Sequence, residues 1–154
     1  MLLVGALSWA GSALRGRGLV AAGEPAPGFD LVSLQGEHVS LDALRGRKVV
    51  LYFFAPWCSV CRQASREVRA LRRTTREDRV AVYAIGLSWE RPEELHSFAA
   101  SHDLEIPVLV GDDTTQSAYR VAAFPTFYFV DERGRVRHRL VGLTTRLGLW
   151  ARTL

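Results

Sequence analysis

The stretch from Lys48 to Arg62 constrains the fold most, because it changes from a buried strand to a helix within a few residues. Its sequence is KVVLYFFAPWCSVCR. The run from Val49 to Ala55 is continuously apolar and rich in β-branched and aromatic residues, which is typical of a strand buried on both faces. Pro56 and Trp57 interrupt the run, and from Ser59 onward the apolar residues recur with helical spacing.

The only two cysteines of the chain, Cys58 and Cys61, lie where this strand gives way to the helix. Free N–H groups and the positive end of the helix dipole stabilise an anion at a helix N-terminus, and a thiolate is such an anion. With two residues between them, the sulfurs are close enough to form a disulfide across one helical turn. This placement predicts thiol–disulfide exchange, with Cys58 as the more exposed nucleophile and Cys61 as the cysteine that resolves the mixed disulfide.

The motif Trp57-Cys58-Ser59-Val60-Cys61, after a buried strand, resembles the active-site motif of the thioredoxin superfamily. A second segment, Phe124-Pro125-Thr126, precedes an apolar run and is similar to the cis-proline segment that faces the cysteines in that family. The long spacing between the two segments and the opening Pro25-Ala26-Pro27-Gly28-Phe29 resemble the TlpA/ResA/DsbE-like (redoxin) branch, with a slighter similarity to ScsD-type proteins. The resemblance covers Glu24 to Leu154.

The resemblance also implies how a substrate is bound. It places the catalytic pair at Cys58 and Cys61, predicts a cis peptide bond before Pro125, and assigns substrate contact to four residues: Trp57, Phe124, Pro125 and Thr126. The bulky, apolar Phe124 suits an extended polypeptide. The implied partners are protein thiols or disulfides and a redox partner that is either a membrane protein or thioredoxin-like.

The remaining pattern predicts an α/β sandwich in which helices flank a mixed central sheet, and the resemblance implies that this sandwich is a thioredoxin fold. An N-terminal β-hairpin spans Phe29 to Leu41, and Val80 to Gly86 is a second buried strand. Arg91 to His102 is a helix, and an inserted strand–helix unit covers Pro107 to Val121. The chain closes with a hairpin from Thr126 to Val141 and a helix capped by Thr144 or Thr145.

Composition argues for a single globular domain without a metal or cofactor. The chain has 154 residues, 48% of them hydrophobic, with a formal net charge of +4. Nearly all the basic residues are arginine, and no aromatic-interleaved basic patch is present, so nucleic-acid binding is not predicted. The four histidines are scattered, so no set of metal ligands is evident. We expect a monomer.

Residues 1–22 are interpreted apart from the thioredoxin-like domain, 23–154. Met1 to Leu14 is apolar but shorter than the about 20 residues that cross a bilayer, and it lacks the basic start of a signal peptide. It is either the remnant of a membrane anchor or an N-terminal extension, and Leu19 to Pro27 is predicted to be a linker. The resemblance favours the anchor, since TlpA-like proteins are typically tethered or exported. It therefore implies a periplasmic or otherwise extracytoplasmic protein, tethered to the inner membrane if the anchor is present.

The sequence departs from the family at the positions where related proteins carry an acidic residue that can exchange a proton with the second cysteine. Thioredoxins bury an acid at the position of Tyr52, and ResA-like proteins place a glutamate at the position of Ala64. We therefore predict no internal acid or base for Cys61. Ser59 and Val60 carry no charge, so the direction of electron transfer stays open.

Two alternative functions have weaker support. A thiol peroxidase of the peroxiredoxin type needs a threonine three residues before the reactive cysteine, where this chain has Ala55. A copper carrier of the Sco type needs a CxxxC motif and a well-placed histidine, and the spacing here is CxxC.

Arginines recur at helical spacing in the helix that follows the cysteines and predict a stripe along it. The stripe is interpreted either as a solvated face or as a basic surface for anionic lipid or an acidic partner. It comprises Arg62, Arg66, Arg69, Arg73 and Arg76.

Overall fold

The structure is a computed structural model that describes residues 18–154. Within these residues the strands are β1 (Asp30–Val32), β2 (His38–Ser40), β3 (Lys48–Phe54), β4 (Val80–Gly86), β5 (Val108–Val110), β6 (Thr126–Val130) and β7 (Val136–Val141). The α-helices are α1 (Ser59–Thr74), α2 (Glu93–Ser101), α3 (Asp113–Ala118) and α4 (Arg146–Ala151). None of the helices in this range is long and apolar enough to cross a bilayer.

The apolar run before the cysteines forms the centre of the main sheet, as predicted. The five strands are ordered β5-β4-β3-β6-β7, so β3 has a hydrogen-bonded neighbour on each side. Strands β3, β4 and β5 are parallel, whereas β6 runs antiparallel to β3 and β7 runs antiparallel to β6. The predicted N-terminal hairpin forms as β1 and β2, and an isolated bridge between Ser33 and Leu109 joins it to the β5 edge. The predicted mixed α/β thioredoxin fold is therefore confirmed.

The side chains of β3 alternate between two cores, one on each face of the sheet. Leu51 and Phe53 pack on one face with Tyr119 and Tyr128. On the opposite face, Val50, Tyr52 and Phe54 pack against residues of α1, α2 and α4, namely Cys61, Val68, Leu71, Leu95, Phe98 and Leu149. Helix α1 is thus anchored directly behind the strand that leads into the cysteine motif.

The segment predicted to be a linker, Leu19 to Pro27, is instead packed against the sheet. Leu19 and Val20 are buried, and the backbone beyond them pairs with β7, with Gly23 N–H donating to the Val136 carbonyl at 2.7 Å. The physical reason is that β7 is an edge strand whose free backbone groups need partners, which this segment supplies. The predicted anchor remnant, Met1 to Leu14, lies outside the described residues.

Side-chain caps begin the two short helices α3 and α4. The Asp112 carboxylate accepts a hydrogen bond from the Thr115 N–H at 2.7 Å at the start of α3. Of the two threonines considered for the last helix, Thr145 is the cap, and its hydroxyl accepts from the Gly148 N–H at 3.2 Å. Such caps satisfy N–H groups that the helix itself leaves without partners.

Candidate active site

Sheet topology brings the two sequence segments together at one edge of the sheet. Because β3 and β4 are parallel, their carboxyl ends meet there, with Phe54 opposite Gly86. Strand β6 runs the other way, so its first residue, Thr126, lies opposite Phe53 at the same edge. The cysteine motif, which follows β3, and the Phe124–Pro125 segment, which precedes β6, therefore lie side by side.

The cysteine pair occupies the N-terminus of α1. Cys58 is the N-cap residue, and its sulfur accepts a hydrogen bond from the Cys61 N–H at 3.2 Å. The two residues form a disulfide, with their Cα atoms 5.3 Å apart. Cys58 retains 7% exposure and Cys61 none, which is the order that the sequence predicted. An N–H group that points at the Cys58 sulfur stabilises a thiolate there once the disulfide is reduced.

A neutral hydroxyl pair lies beneath Cys61. The Tyr52 hydroxyl donates to the Cys61 carbonyl at 2.8 Å, and the Ser65 hydroxyl donates to the same oxygen at 2.8 Å. All three residues are fully buried, and burial raises the pKa of Tyr52 well above its ordinary value. The position where thioredoxins carry an acid therefore holds a group that stays neutral. Sequence analysis did not single out Ser65, although it is a polar residue within the apolar face of α1.

Trp57 lies on the surface beside the pair. Its side chain is 66% exposed, and its indole N–H donates to the Ser88 carbonyl at 2.9 Å. Ser88 follows β4 and has a positive φ of 52°. Sequence analysis did not single out Ser88, although its place just beyond the end of a parallel strand indicated this edge of the sheet.

The Phe124–Pro125 peptide bond is cis, as the resemblance implied. Phe124 is half-buried, and its ring meets that of Trp57 edge to face at a centroid distance of 5.7 Å. Pro125 is buried, and its carbonyl accepts from the Gly142 N–H at 2.8 Å. Trp57 and Phe124 thus form an aromatic wall next to Cys58.

Thr126 differs from the other residues for which substrate contact was expected. Its side chain is fully buried, and its hydroxyl donates to the Ala123 carbonyl at 2.7 Å. The Thr126 side chain therefore holds the turn before β6.

No cluster of three or more histidine, cysteine or acidic side chains that could hold a metal ion occurs in the described part of the chain.

Glu67, on the same helix as the cysteines, accepts a hydrogen bond from the Arg146 N–H and so binds the start of α4. The carboxylate of Glu67 is thus committed to holding two helices together.

Comparisons with known proteins agree with this geometry. The AhpC/TSA family matches residues 22–139. The chain is 37% identical over 131 residues to the thioredoxin-like protein YneN of Bacillus subtilis, covering 82% of this chain and 75% of YneN. It is 29% identical over 128 residues to the thiol-disulfide oxidoreductase ResA of Geobacillus kaustophilus, covering 82% of this chain and 73% of ResA. A crystal structure of a putative thiol:disulfide interchange protein DsbE from Chlorobium tepidum superimposes with a TM-score of 0.79 at 26% identity, covering 86% of this chain and 95% of that one.

These relatives favour the exchange reaction over the peroxidase and copper-carrier alternatives. The Chlorobium tepidum structure shares the fold described above, and the disulfide of this chain joins the two cysteines of the predicted motif. The chain belongs to the AhpC/TSA family, and it is a thiol-disulfide oxidoreductase of the TlpA/ResA/DsbE type whose redox pair is Cys58 and Cys61.

Proposed function

We propose that this oxidoreductase exchanges disulfides with polypeptide substrates outside the cytoplasm, with Cys58 as the nucleophile and Cys61 as the resolving cysteine. One observation carries the assignment of roles. The Cys58 sulfur is the partly accessible one, and it accepts the Cys61 N–H at the helix N-terminus, whereas Cys61 is fully buried. A sulfur that is both reachable and stabilised as a thiolate is the one that attacks.

In the reducing direction, the Cys58 thiolate attacks one sulfur of a substrate disulfide. A Cys58–substrate bond forms, the substrate S–S bond breaks, and the second substrate sulfur leaves as a thiolate. Cys61 then attacks the Cys58 sulfur, which restores the Cys58–Cys61 disulfide and releases the substrate thiol. Two electrons pass from the protein to the substrate. The oxidising direction is the reverse.

The resolving step proceeds without a protein base in contact with Cys61. The hydroxyls of Tyr52 and Ser65 both donate to the Cys61 carbonyl, and as neutral hydroxyls they are far weaker bases than a carboxylate or an imidazole. The Cys61 proton therefore passes to water or to the departing substrate thiolate. This favours mixed disulfides that persist longer than they would beside a buried carboxylate.

The substrate contacts are assigned to Trp57, Phe124 and Pro125. The exposed indole and the half-buried Phe124 ring supply apolar area next to Cys58, and such area favours an extended polypeptide over a small polar molecule. Thr126 holds the segment that presents Phe124 and Pro125.

The location and pathway follow from the resemblance to TlpA-, ResA- and DsbE-like proteins, which are typically tethered or exported. On that basis the protein acts as a monomer in the periplasm or an equivalent compartment, tethered to the inner membrane if Met1 to Leu14 belongs to an anchor. A membrane or thioredoxin-like partner resets the cysteine pair. Cytochrome c maturation and copper-linked disulfide handling are the processes that fit this class.

The test is the reduction potential of the Cys58/Cys61 pair, measured in glutathione buffers of defined ratio. The proposal predicts a reversible two-electron couple that the Cys58→Ser and Cys61→Ser variants both lack. A potential near roughly −270 mV assigns a reductant, and one near roughly −120 mV assigns an oxidant. The absence of a reversible couple in the wild type would contradict the proposed function.

A further inference from the structure

The arginine stripe of α1 and the turn after it divides into two parts that the sequence alone could not distinguish. Its three arginines furthest from the cysteines are each bound to an acid, in the pairs Arg69–Asp103, Arg73–Glu105 and Arg76–Asp78. Arg62 and Arg66, the two closest to the cysteines, are exposed and form no ion pair with any residue in 18–154. Charge compensation thus stops where the stripe approaches the redox site.

The two uncompensated arginines line a cleft rather than a flat surface. Arg62 and Arg66 form one wall of a cavity of about 480 Å³ between α1 and the end of α2, and His102 and Ser101 form the opposite wall. A larger cavity of about 750 Å³ shares Arg62, Ser101 and His102 with it and extends to Trp57. The cleft therefore leads from the basic wall directly to the tryptophan of the active-site motif.

The wall opposite the two arginines contributes an imidazole that favours its neutral form, so the positive charge of the cleft comes from Arg62 and Arg66. His102 is half-buried, with its ring 4.5 Å from that of Phe98. Burial lowers the pKa of His102, and the positive charges of Arg62 and Arg66 lower it further. Two guanidinium groups near an imidazole, without a carboxylate bound to them, favour the binding of an anion from outside.

Of the acidic residues nearby, Asp103 lines the smaller cavity but is paired with Arg69, and the others line only the larger cavity. Glu90, Glu93 and Glu94 line the larger cavity at the start of α2. Glu94 is paired with Arg91 and accepts a hydrogen bond from the Glu90 N–H. None of the three forms an ion pair with Arg62, so they leave the basic wall free.

The spacing along α1 relates this wall to the reacting sulfur. With a rise of about 1.5 Å per residue, Arg62 and Arg66 lie about 6 Å and 12 Å further along the helix axis than Cys58. An extended chain advances about 3.3 Å per residue, so these distances correspond to about two to four residues of a bound peptide.

We propose that Arg62 and Arg66 bind carboxylate side chains of the polypeptide substrate, located about two to four residues from the cysteine that exchanges with Cys58. The inference rests on the proposed function and narrows its substrates to cysteines in acidic surroundings. A polypeptide is favoured over a membrane surface, because the arginines lie in a concave cleft that is continuous with the active site. A bilayer would have to reach them across the rims of two helices.

The experiment uses two peptides that differ only in charge. Each carries one cysteine as a mixed disulfide with 2-mercaptoethanol, which is neutral, and has either glutamate or glutamine three residues to each side of it. The rate constant for oxidation of the reduced protein is measured with both peptides at low ionic strength, where surface charges are least screened. The ratio of the two rate constants cancels any change in the intrinsic reactivity of Cys58.

We expect the wild type to react about three to ten times faster with the glutamate peptide, as two exposed ion pairs would give. The variant Arg62→Gln/Arg66→Gln should bring the ratio close to one. The matched control Arg73→Gln/Arg76→Gln removes the same net charge from the far end of the stripe and should keep the wild-type ratio. Raising the salt concentration should lower the ratio of the wild type.

Three results would overturn the inference. Equal rates with both peptides in the wild type would refute the preference for acidic peptides while leaving the exchange reaction intact. A preference that survives in Arg62→Gln/Arg66→Gln would show that these two arginines do not cause it. Equal rates combined with Arg62- and Arg66-dependent sedimentation on phosphatidylglycerol vesicles would assign the cleft to a membrane surface. Failure to react with either peptide would instead contradict the proposed function on which the inference rests.

Discussion

Removal of the Tyr52 hydroxyl tests how the buried strand supports the resolving cysteine. In Tyr52→Phe the ring remains between Phe54 and Phe127, on which it stacks, and the hydroxyl's hydrogen bonds to the Cys61 carbonyl and the Ser65 hydroxyl are lost. That carbonyl keeps its hydrogen bond from Ser65, so no buried polar group is left without a partner. We expect a loss of about 1 kcal/mol in the free energy of unfolding, the usual net value of one hydrogen bond. This corresponds to a decrease of about 2–4 °C in Tm.

The same substitution at Tyr128 is the matched comparison. The Tyr128 hydroxyl accepts from the Val20 N–H at 3.0 Å and donates to the Tyr119 carbonyl at 2.6 Å. Tyr128→Phe leaves the buried Val20 N–H without its partner, so we expect a larger loss of about 2–3 kcal/mol. Both values come from urea denaturation of the oxidised proteins. A greater loss in Tyr52→Phe than in Tyr128→Phe would refute the reasoning.

Tyr52→Phe also tests the absence of an acid or base at Cys61. The Tyr52 proton is held by a carbonyl, and burial raises the pKa of Tyr52 beyond the range of the assay. We therefore expect the rate of exchange to stay within about twofold of the wild type, a change of no more than about 0.4 kcal/mol in the barrier, and its dependence on pH to stay the same. A tenfold slower resolution step at unchanged stability would show that the hydroxyl moves a proton.

The fold makes two further predictions. Gly111→Ala should lower the free energy of unfolding by about 1–3 kcal/mol, because the new Cβ would lie 2.6 Å from the Gly86 carbonyl oxygen. The control is Gly28→Ala, whose Cβ would meet nothing within 4 Å, and its free energy of unfolding should be nearly unchanged. Urea denaturation measures both. Asp112→Ala should cost about 1 kcal/mol through the lost cap of α3. Hydrogen bonds from Thr115 hold the pKa of the Asp112 carboxyl below its usual value. The wild type should therefore lose the stability that the cap contributes as the pH falls through that lowered pKa. Unfolding curves measured from pH 7 to 3 test this loss. A difference between wild type and Asp112→Ala that persisted at the lowest pH would contradict the cap.

The redox site could be predicted from the sequence because both of its parts have strong local signals. An apolar β-branched run, two cysteines and a change to helical spacing are contiguous, and each constrains the others. The Phe124–Pro125 segment lies far along the chain, but the resemblance placed it opposite the cysteines. The antiparallel pairing of β6 with β3 is the physical reason that the two segments meet.

The features that the sequence did not reveal depend on contacts between distant residues. Leu19 to Pro27 has the small residues of a linker, and only the unpaired edge of β7 explains why it is packed. The five arginines of the stripe have equivalent spacing, yet their acids lie as far as Asp103 and Glu105, beyond α2. Which arginines remain free therefore depends on how α2 packs beside α1.

The most direct test of the central claim is to trap the reaction intermediate. Cys61→Ser, incubated with a peptide disulfide, should form a stable mixed disulfide that mass spectrometry locates at Cys58, because the sulfur that resolves it is gone. Cys58→Ser should form no adduct at Cys61, which is fully buried. A Cys61→Ser variant that turned over at the wild-type rate, or carried its adduct elsewhere, would contradict the two-cysteine mechanism.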